Sequence, residues 1–441
     1  MNCKINRYPL YYGSVKQIYP NITAGEPALS KTVVVGNLIL LSGMPGINLK
    51  TGKVESDKLE SQMVRALDNI RSAMEEAGSS LNNIIKTTIY LKRLDDYTLM
   101  RKTEFEYYQE HAPYLVQNPP ASTFARVDPL GKPEYLVLLE AIGVINRDEP
   151  GWEVEMIPMY YKGIKQVYPD VAPGGPIFSQ AAKVGNLIFF SGMAGRSVQT
   201  CEVESDKLDE QMTVASDKIK AAMEKAGSSM NNLVKSFHWL PNQDDVWEMW
   251  GNELKYYDKN APFLIDEPPA STLAVVGLAD PKYKIETEVI GVIDRKKPGW
   301  EVTTQQLYYF DRGWPKHIGA WRKQFSRSVR VGNLLLISGM EGGNPFTGTV
   351  DTGDVIEQTN IVMNKLKVAM EEVGSTMDNL IKLVALVPRA EDYPLIRQTE
   401  FKFYKEHAPG LLENPPALVT FQAPLAHKTY VLEIDALGYI P

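Results

Sequence analysis

Cysteine is nearly missing from this chain of 441 residues, which carries only Cys3 and Cys201. Two thiols far apart in sequence build neither a disulfide framework nor a cysteine-based metal cluster, so both are expected to be ordinary reduced side chains. Long apolar runs are lacking as well. The longest, such as Leu38–Leu41 and Leu187–Phe190, are strand-sized, well short of the roughly 20 residues of a membrane span. The opening stretch MNCKINRYPLYYG has no continuous apolar core or small-residue cleavage site, so no secretory leader is expected and the chain reads as cytoplasmic. Positive charge is not in excess either. Lys and Arg number 47 against 54 Asp and Glu, mixed along the chain, which leaves no basic stripe for a phosphate backbone and makes nucleic acid a poor partner. None of the five histidines stands at a metal-like spacing from another His or Cys, and there is no glycine-rich phosphate loop, GxSxG elbow or Cys/His nucleophile pair. No metal and no cofactor are expected.

What the sequence does contain is repetition. VGNLILLSGM begins at Val35, VGNLIFFSGM at Val184 and VGNLLLISGM at Val331. The same order then carries Gln62, Gln211 and Gln358, the Gly-Ser pairs at Gly78, Gly227 and Gly374, and PPA at Pro119, Pro268 and Pro415. Each copy closes on a strand-like end, EAIGV from Glu140, EVIGV from Glu288 and DALGY from Asp435. Three tandem copies are therefore expected, over residues 1–148, 149–296 and 297–441. The lead-in LYYGSVKQIYP from Leu10 returns as MYYKGIKQVYP from Met159, and copy three keeps a trace, LYYF, from Leu307. NRDEPGWE and DRKKPGWE join the copies and read as short exposed linkers that hold neighbours together.

Within a copy, VGNLILLSG predicts a buried strand. A helix follows, with Leu59, Met63, Leu67, Ile70 and Met74 on its core face and Gly78 as its cap. Copy two repeats that face as Leu208, Met212, Ala215, Ile219 and Met223. Copy three does so less regularly, as Ile356, Ile361, Asn364, Leu366 and Met370. The strand IIKTTIYL from Ile84, a second helix ending near His111, and strands around 121–127 and 134–144 complete a βαβαββ order. Such an α+β unit has helices on one face of a mixed sheet, and the other copies are the available cover for the opposite face.

In SGM, the helix ending in AG, KTTIYL and the stretch from PPAST to EAIGV, all three copies resemble the Rid proteins, the YjgF-type family labelled endoribonuclease L-PSP. The resemblance implies a chorismate-mutase-like domain, normally a homotrimer, so that one chain would form an intramolecular pseudo-trimer with helices outside and sheets facing the centre. It also implies ligand clefts between copies and hydrolysis of imines and enamines to ketones and ammonia. Carried over residue by residue, it keeps the SGM glycines Gly43, Gly192 and Gly339 and the water-positioning acids Glu140, Glu288 and Asp435. The family's carboxylate-binding arginine falls on Ala121, Ala270 and Ala417, and its tyrosine before the SG strand falls on Leu29, Phe178 and Phe325. The residue after the arginine becomes Thr123, Thr272 and Val419. The second-helix asparagine becomes Arg101, Trp250 and Arg397.

The candidate site residues thus comprise the three acids as bases, with Gly43, Gly192, Gly339, Arg101, Trp250, Arg397, Thr123, Thr272, Phe178 and Phe325 lining the clefts. Each acid also has a plainer reading, a structural carboxylate meeting a cation between copies. Arg101 and Arg397 read either as replacement cations on the cleft wall or as exposed helix residues, while Trp250 fits a pocket or an inter-copy seam. The functional reading is a diverged Rid-like protein acting on a small metabolite, a hydrolase lacking the usual arginine. The alternatives are a metabolite-binding or assembly module and, last, an endoribonuclease. Whether whole chains associate further stays open.

Overall fold

The computed structural model describes residues 4–22, 27–307, 325–345 and 348–441. Each repeat opens with a β-meander. In the first, Ile5–Pro9 pairs antiparallel with Ser30–Val35, which turns back into Leu38–Leu41. Gly36 makes that turn at φ +59°, and the asparagine beside it explains why VGN recurs. The side chain of Asn37 donates to Asn146 O at 2.8 Å and accepts from Asn146 N at 3.0 Å, tying the hairpin to the last strand. Asn186 does the same with Asp294.

The first helix, Leu59–Glu76, buries all five expected core residues, and its counterpart Leu208–Lys225 does likewise. In the third repeat the helix Val355–Glu371 departs from the expected stripe: Ile356 and Asn364 are exposed, and the core face is Val362, Met363, Leu366, Ala369 and Met370. A strict three- and four-residue spacing started from Val362 gives that face; the stripe drawn through Ile361 was one residue out of register. The recurring glutamine pins the helix to the loop before the final strand. Gln62 Nε2 donates to Ser56 O and Glu134 O while its Oε1 accepts from Leu136 N.

Behind each first helix lies the parallel pair Ile84–Leu91 and Ala121–Arg126, with Val137–Val144 antiparallel to the former. The second helix, Tyr97–His111, packs beside the first. The βαβαββ order is thus present from Leu38–Leu41 on, preceded by two additional strands, Ile5–Pro9 and Ser30–Val35, and by a two-residue-strand hairpin, Tyr11–Tyr12 with Val15–Lys16.

Strands of all three repeats join one continuous sheet. Ala121 bridges Ser179, and Ala270 bridges Ser326. Ser179 and Ser326 donate their hydroxyls to Pro119 O and Pro268 O at 2.6 Å, and Ser30 of repeat one donates to Pro415 O of repeat three at the same distance. The PPA motif therefore serves as acceptor at every seam, and the last repeat bonds back to the first. Helices lie on the outer side. Inside, Val33, Leu40 and Ile85 meet Val184, Leu187 and Val234 and also Val331, Leu336 and Ile381 in one apolar cluster.

The joins are exposed over most of their length, as their charge and Pro-Gly content suggest, but the tryptophan of each is not. Trp152 and Trp300 are buried in that shared cluster with ring centroids 4.6 Å apart, because Gly151 and Gly299, at φ near +80°, turn the chain inward ahead of them. The lead-ins also cross between repeats. Tyr19 packs on Phe401 and Tyr404 of repeat three, and Tyr168 on Phe105 of repeat one. The LYYF trace runs on from Leu307 outside the described residues. Among the described residues no helix is long and apolar enough to cross a membrane.

A single repeat cut from this arrangement would present Val33, Val35, Leu38, Leu40 and Ile85 to water, an apolar loss that a domain of this size cannot absorb. Residues 1–148 expressed alone should self-associate or unfold without cooperativity. A monomeric two-state transition in calorimetry and ultracentrifugation would contradict this.

Candidate functional site

A largely buried strand carries a lysine at the same place in every repeat: Lys86 in Ile84–Leu91, Lys235 in Leu233–Leu240 and Lys382 in Leu380–Val387. An ammonium there needs a partner. The next repeat supplies it. Lys86 Nζ lies 2.9 Å from Glu288 Oε2, Lys235 pairs with Asp435, and Lys382 reaches Glu140 at 2.5 Å, so the third pair closes from repeat three to repeat one. Thr123 Oγ1 bonds both Lys86 and Glu288, and Thr272 Oγ1 bonds both Lys235 and Asp435. The third seam has Val419 at that position, and Glu140 takes Tyr90 O–H instead, at 3.1 Å.

The SGM glycines belong to the same seams. Gly192 N donates to Thr123 Oγ1 at 3.0 Å and Gly339 N to Thr272 Oγ1 at 2.9 Å, whereas Gly43 N donates to Leu418 O. Glycine is required there for a second reason: a Cβ on Gly192 would stand 1.8 Å from Glu286 Oε1, and one on Gly339 would stand 1.9 Å from Glu433 Oε1. Repeat one has Leu138 in that place, 3.1 Å from a Cβ built on Gly43. Burial raises the Glu286 carboxyl to about 7 against an opposing hydrogen bond from the Phe124 amide. Burial, with Glu341 and Asp435 nearby, raises Glu433 to about 8.

The second-helix residues lie at the seams, where their charge is already matched. Arg101 and Arg397 are buried, which excludes the exposed-helix alternative, and each pairs with the glutamate one turn on, Glu104 at 2.8 Å and Glu400 at 2.5 Å. Arg101 also reaches Ser122 Oγ at 3.4 Å, and Arg397 donates to Tyr19 O–H of repeat one at 2.9 Å. Trp250 replaces the arginine in repeat two, packs 6.1 Å from Phe325 of repeat three, and leaves Glu253 to His238, 3.1 Å away. Phe178 is half-buried, 6.5 Å from Tyr161. The first seam thus gathers Glu288, Thr123, Gly192 and Arg101; the second gathers Asp435, Thr272, Gly339, Trp250 and Phe325; the third gathers Glu140, Gly43 and Arg397. Ala121, Ala270 and Ala417 are wholly buried at the seams.

Sequence reasoning passed over the three lysines and the inner acids Glu286 and Glu433. The signal was present: IIK, LVK and LIK stand at the same place in each copy, and a charge inside a buried strand calls for a partner. Among the described residues no cluster of three or more His, Cys, Asp or Glu is arranged to hold a metal ion.

The inner acids make stability pH-dependent in a definite direction. Folded Glu286 and Glu433 keep their protons to about 7 and about 8, whereas their ordinary value is 4.5. Their contribution is therefore complete below about pH 4.5 and is lost as pH rises through 7 and 8. Unfolding free energy should fall by several kcal/mol, on the order of 6, from this source between pH 5 and 8.5. Denaturant titrations of Glu433→Gln should show a flatter dependence, and an unchanged slope would refute the assignment.

Comparison with known proteins agrees with this architecture. The family model Endoribonuclease L-PSP matches residues 23–145, 171–293 and 318–440. A RutC family protein of Pyrococcus abyssi is 38% identical over 87 residues, which is 20% of this chain and 68% of that protein. The 2-iminobutanoate/2-iminopropanoate deaminase of Escherichia coli is 34% identical over 112 residues, 25% of this chain and 83% of the enzyme. A chorismatase crystal structure superposes with TM-score 0.53 at 13% identity, spanning 81% of this chain and 93% of that one, a likeness of fold alone. With its domain matched three times in tandem, the chain belongs to the Endoribonuclease L-PSP family, the Rid proteins.

Proposed function

We propose that the chain is a single-chain counterpart of a Rid trimer that hydrolyses a small imine or enamine at the seam between repeats one and two, with Glu288 as the base on water. The observation that carries this choice is exposure. The side chain of Glu288 is 21% exposed, against 10% for both Asp435 and Glu140, so it is the acid best placed to meet a ligand. Lys86 and Thr123 hold its carboxylate in place, as the orientation of a base on water requires. The name of the Escherichia coli relative, an imine deaminase, supports the chemistry at family level.

The substrate class differs from that relative's. A 2-imino acid needs a cation for its carboxylate, and Ala121 is buried where the family's arginine would stand. Lys86 and Arg101, which reach this seam, are each matched by a glutamate. A neutral imine fits better, since losing a guanidinium fork weakens carboxylate recognition by about two to three orders of magnitude. In the second and third seams the deeper acids, and Val419 and Leu138 in the third, favour a structural role and keep the reading of a binding or assembly module for those positions.

Ammonia release should therefore be faster from the imine of a neutral amine than from a 2-imino acid, by about 100-fold or more. Comparable turnover of the two would reject the substrate class. Glu288→Gln should lower ammonia release by about 100-fold or more, whereas Glu140→Gln should leave turnover within a few-fold and lower the melting temperature. Equal losses in the two variants would contradict the choice of seam.

A further inference from the structure

Glu286 and Glu288 stand two residues apart on the strand Glu286–Val292, hence on one face of it. Both meet the same short stretch of repeat one. Glu288 bonds Thr123 Oγ1, and Glu286 accepts the N–H of Phe124, the next residue. Gly192 joins them, since its amide bonds Thr123 while its missing side chain leaves the space that Glu286 fills. The two carboxyls have opposite surroundings. Glu288 is bound by an ammonium and a hydroxyl. Glu286 is buried, with Glu288 raising its proton affinity and Lys86 and Lys218 lowering it; Lys218, itself brought down to about 7 by burial, donates to Ala194 O at 2.5 Å and Arg196 O at 3.0 Å. Tyr161 and Tyr283 are the other titratable groups that feel it.

We infer that Glu286 is the proton donor of the first seam, delivering to the substrate nitrogen the proton that imine hydrolysis requires while Glu288 takes one from water. Two carboxyls held in unlike environments form an acid–base couple. This rests on the hydrolase reading above. In the first step the water oxygen bonds to the imine carbon, the C=N π pair moves to nitrogen, Glu288 gains the water proton and Glu286 protonates the nitrogen. In the second, Glu288 returns its proton to the nitrogen, the carbinolamine hydroxyl proton goes to Glu286, the C–N bond breaks and a carbonyl and ammonia leave. Both carboxyls end as they began. Repeat one, with Leu138 in this place, lacks the donor, and the second seam carries it as Glu433 beside a less exposed acid.

The test uses the full chain and the imine of a simple neutral amine, generated in place by an amine oxidase, with ammonia as readout from pH 5 to 9. In the wild type, kcat should decline above about pH 7, the region in which Glu286 loses its proton. Glu286→Gln and Glu286→Leu should each lower kcat at pH 6.5 by about 10- to 100-fold and remove that decline. Infrared spectroscopy gives a reading independent of turnover: in the Glu433→Gln background, a protonated-carboxyl band that titrates near 7 and is missing once Glu286→Gln is added. Wild-type turnover that Glu288→Gln abolishes but Glu286→Gln leaves unchanged in rate and pH profile would overturn the donor and spare the hydrolase. Absence of the band would overturn it as well. A wild type that releases no ammonia above background from neutral imines or imino acids would overturn both.

Discussion

A lysine buried in a strand calls for a carboxylate partner, and in this chain the carboxylate always comes from another repeat. Lys86 with Glu288, Lys235 with Asp435 and Lys382 with Glu140 tie one to two, two to three and three back to one. Leaving one member of such a pair unmatched typically costs about 3–5 kcal/mol, so the closed arrangement is favoured over any in which a repeat stands apart. The same pairs place an acid, a hydroxyl and a glycine amide within one seam. Assembly and candidate chemistry thus depend on one set of contacts, and the apolar surfaces around it, from Trp152 and Trp300 at one level to Tyr90, Trp239 and Phe421 at another, keep it partly shielded from water.

Covalent fusion removes the constraint that every seam be alike. The first seam keeps Thr123 and the glutamates Glu288 and Glu286. The second has Asp435 where the first has Glu288, and the third replaces the hydroxyl with Val419 and the inner acid with Leu138. Repeat two shows how such drift stays tolerable: once Trp250 occupies the arginine position, Glu253 would be a buried, unmatched charge, and His238, on a strand where the other repeats have Ile89 and Ala385, lies beside it. The exchange keeps a nitrogen partner beside the glutamate while replacing a guanidinium with an imidazole.

Much of this was legible in the chain. VGN, SGM, the glutamine and PPA recur because each makes a defined contact, a hairpin tie, a seam amide, a loop clamp or a carbonyl acceptor, and contacts of that kind leave fixed spacings. The periodic helices were legible for the same reason, apart from the third, where Ile356 and Asn364 fall off the buried face. Partners were not. Nothing local to IIKTTIYL says that its lysine meets a glutamate 202 residues away, and nothing in PGWE says that the tryptophan turns inward. Composition reported a charged linker; the three-dimensional cluster that buries its tryptophan exists only once the repeats have met.

The lead-ins explain why the arginines were hard to place. The family match begins at residues 23 and 171, so the hairpins and Tyr19 and Tyr168 lie ahead of it. Tyr19 runs across the second helix of repeat three, its hydroxyl accepting from Arg397, and Tyr168 sits on Phe105 of the second helix of repeat one. A helix face that would otherwise be open to solvent becomes interior, and an arginine on it can remain only with an ion partner such as Glu400 or Glu104. Once its charge is spent in that way, the second-helix arginine is a poor substitute for the missing carboxylate fork. Whatever chemistry the first seam performs must then rely on its own acids rather than on a cation that grips the substrate.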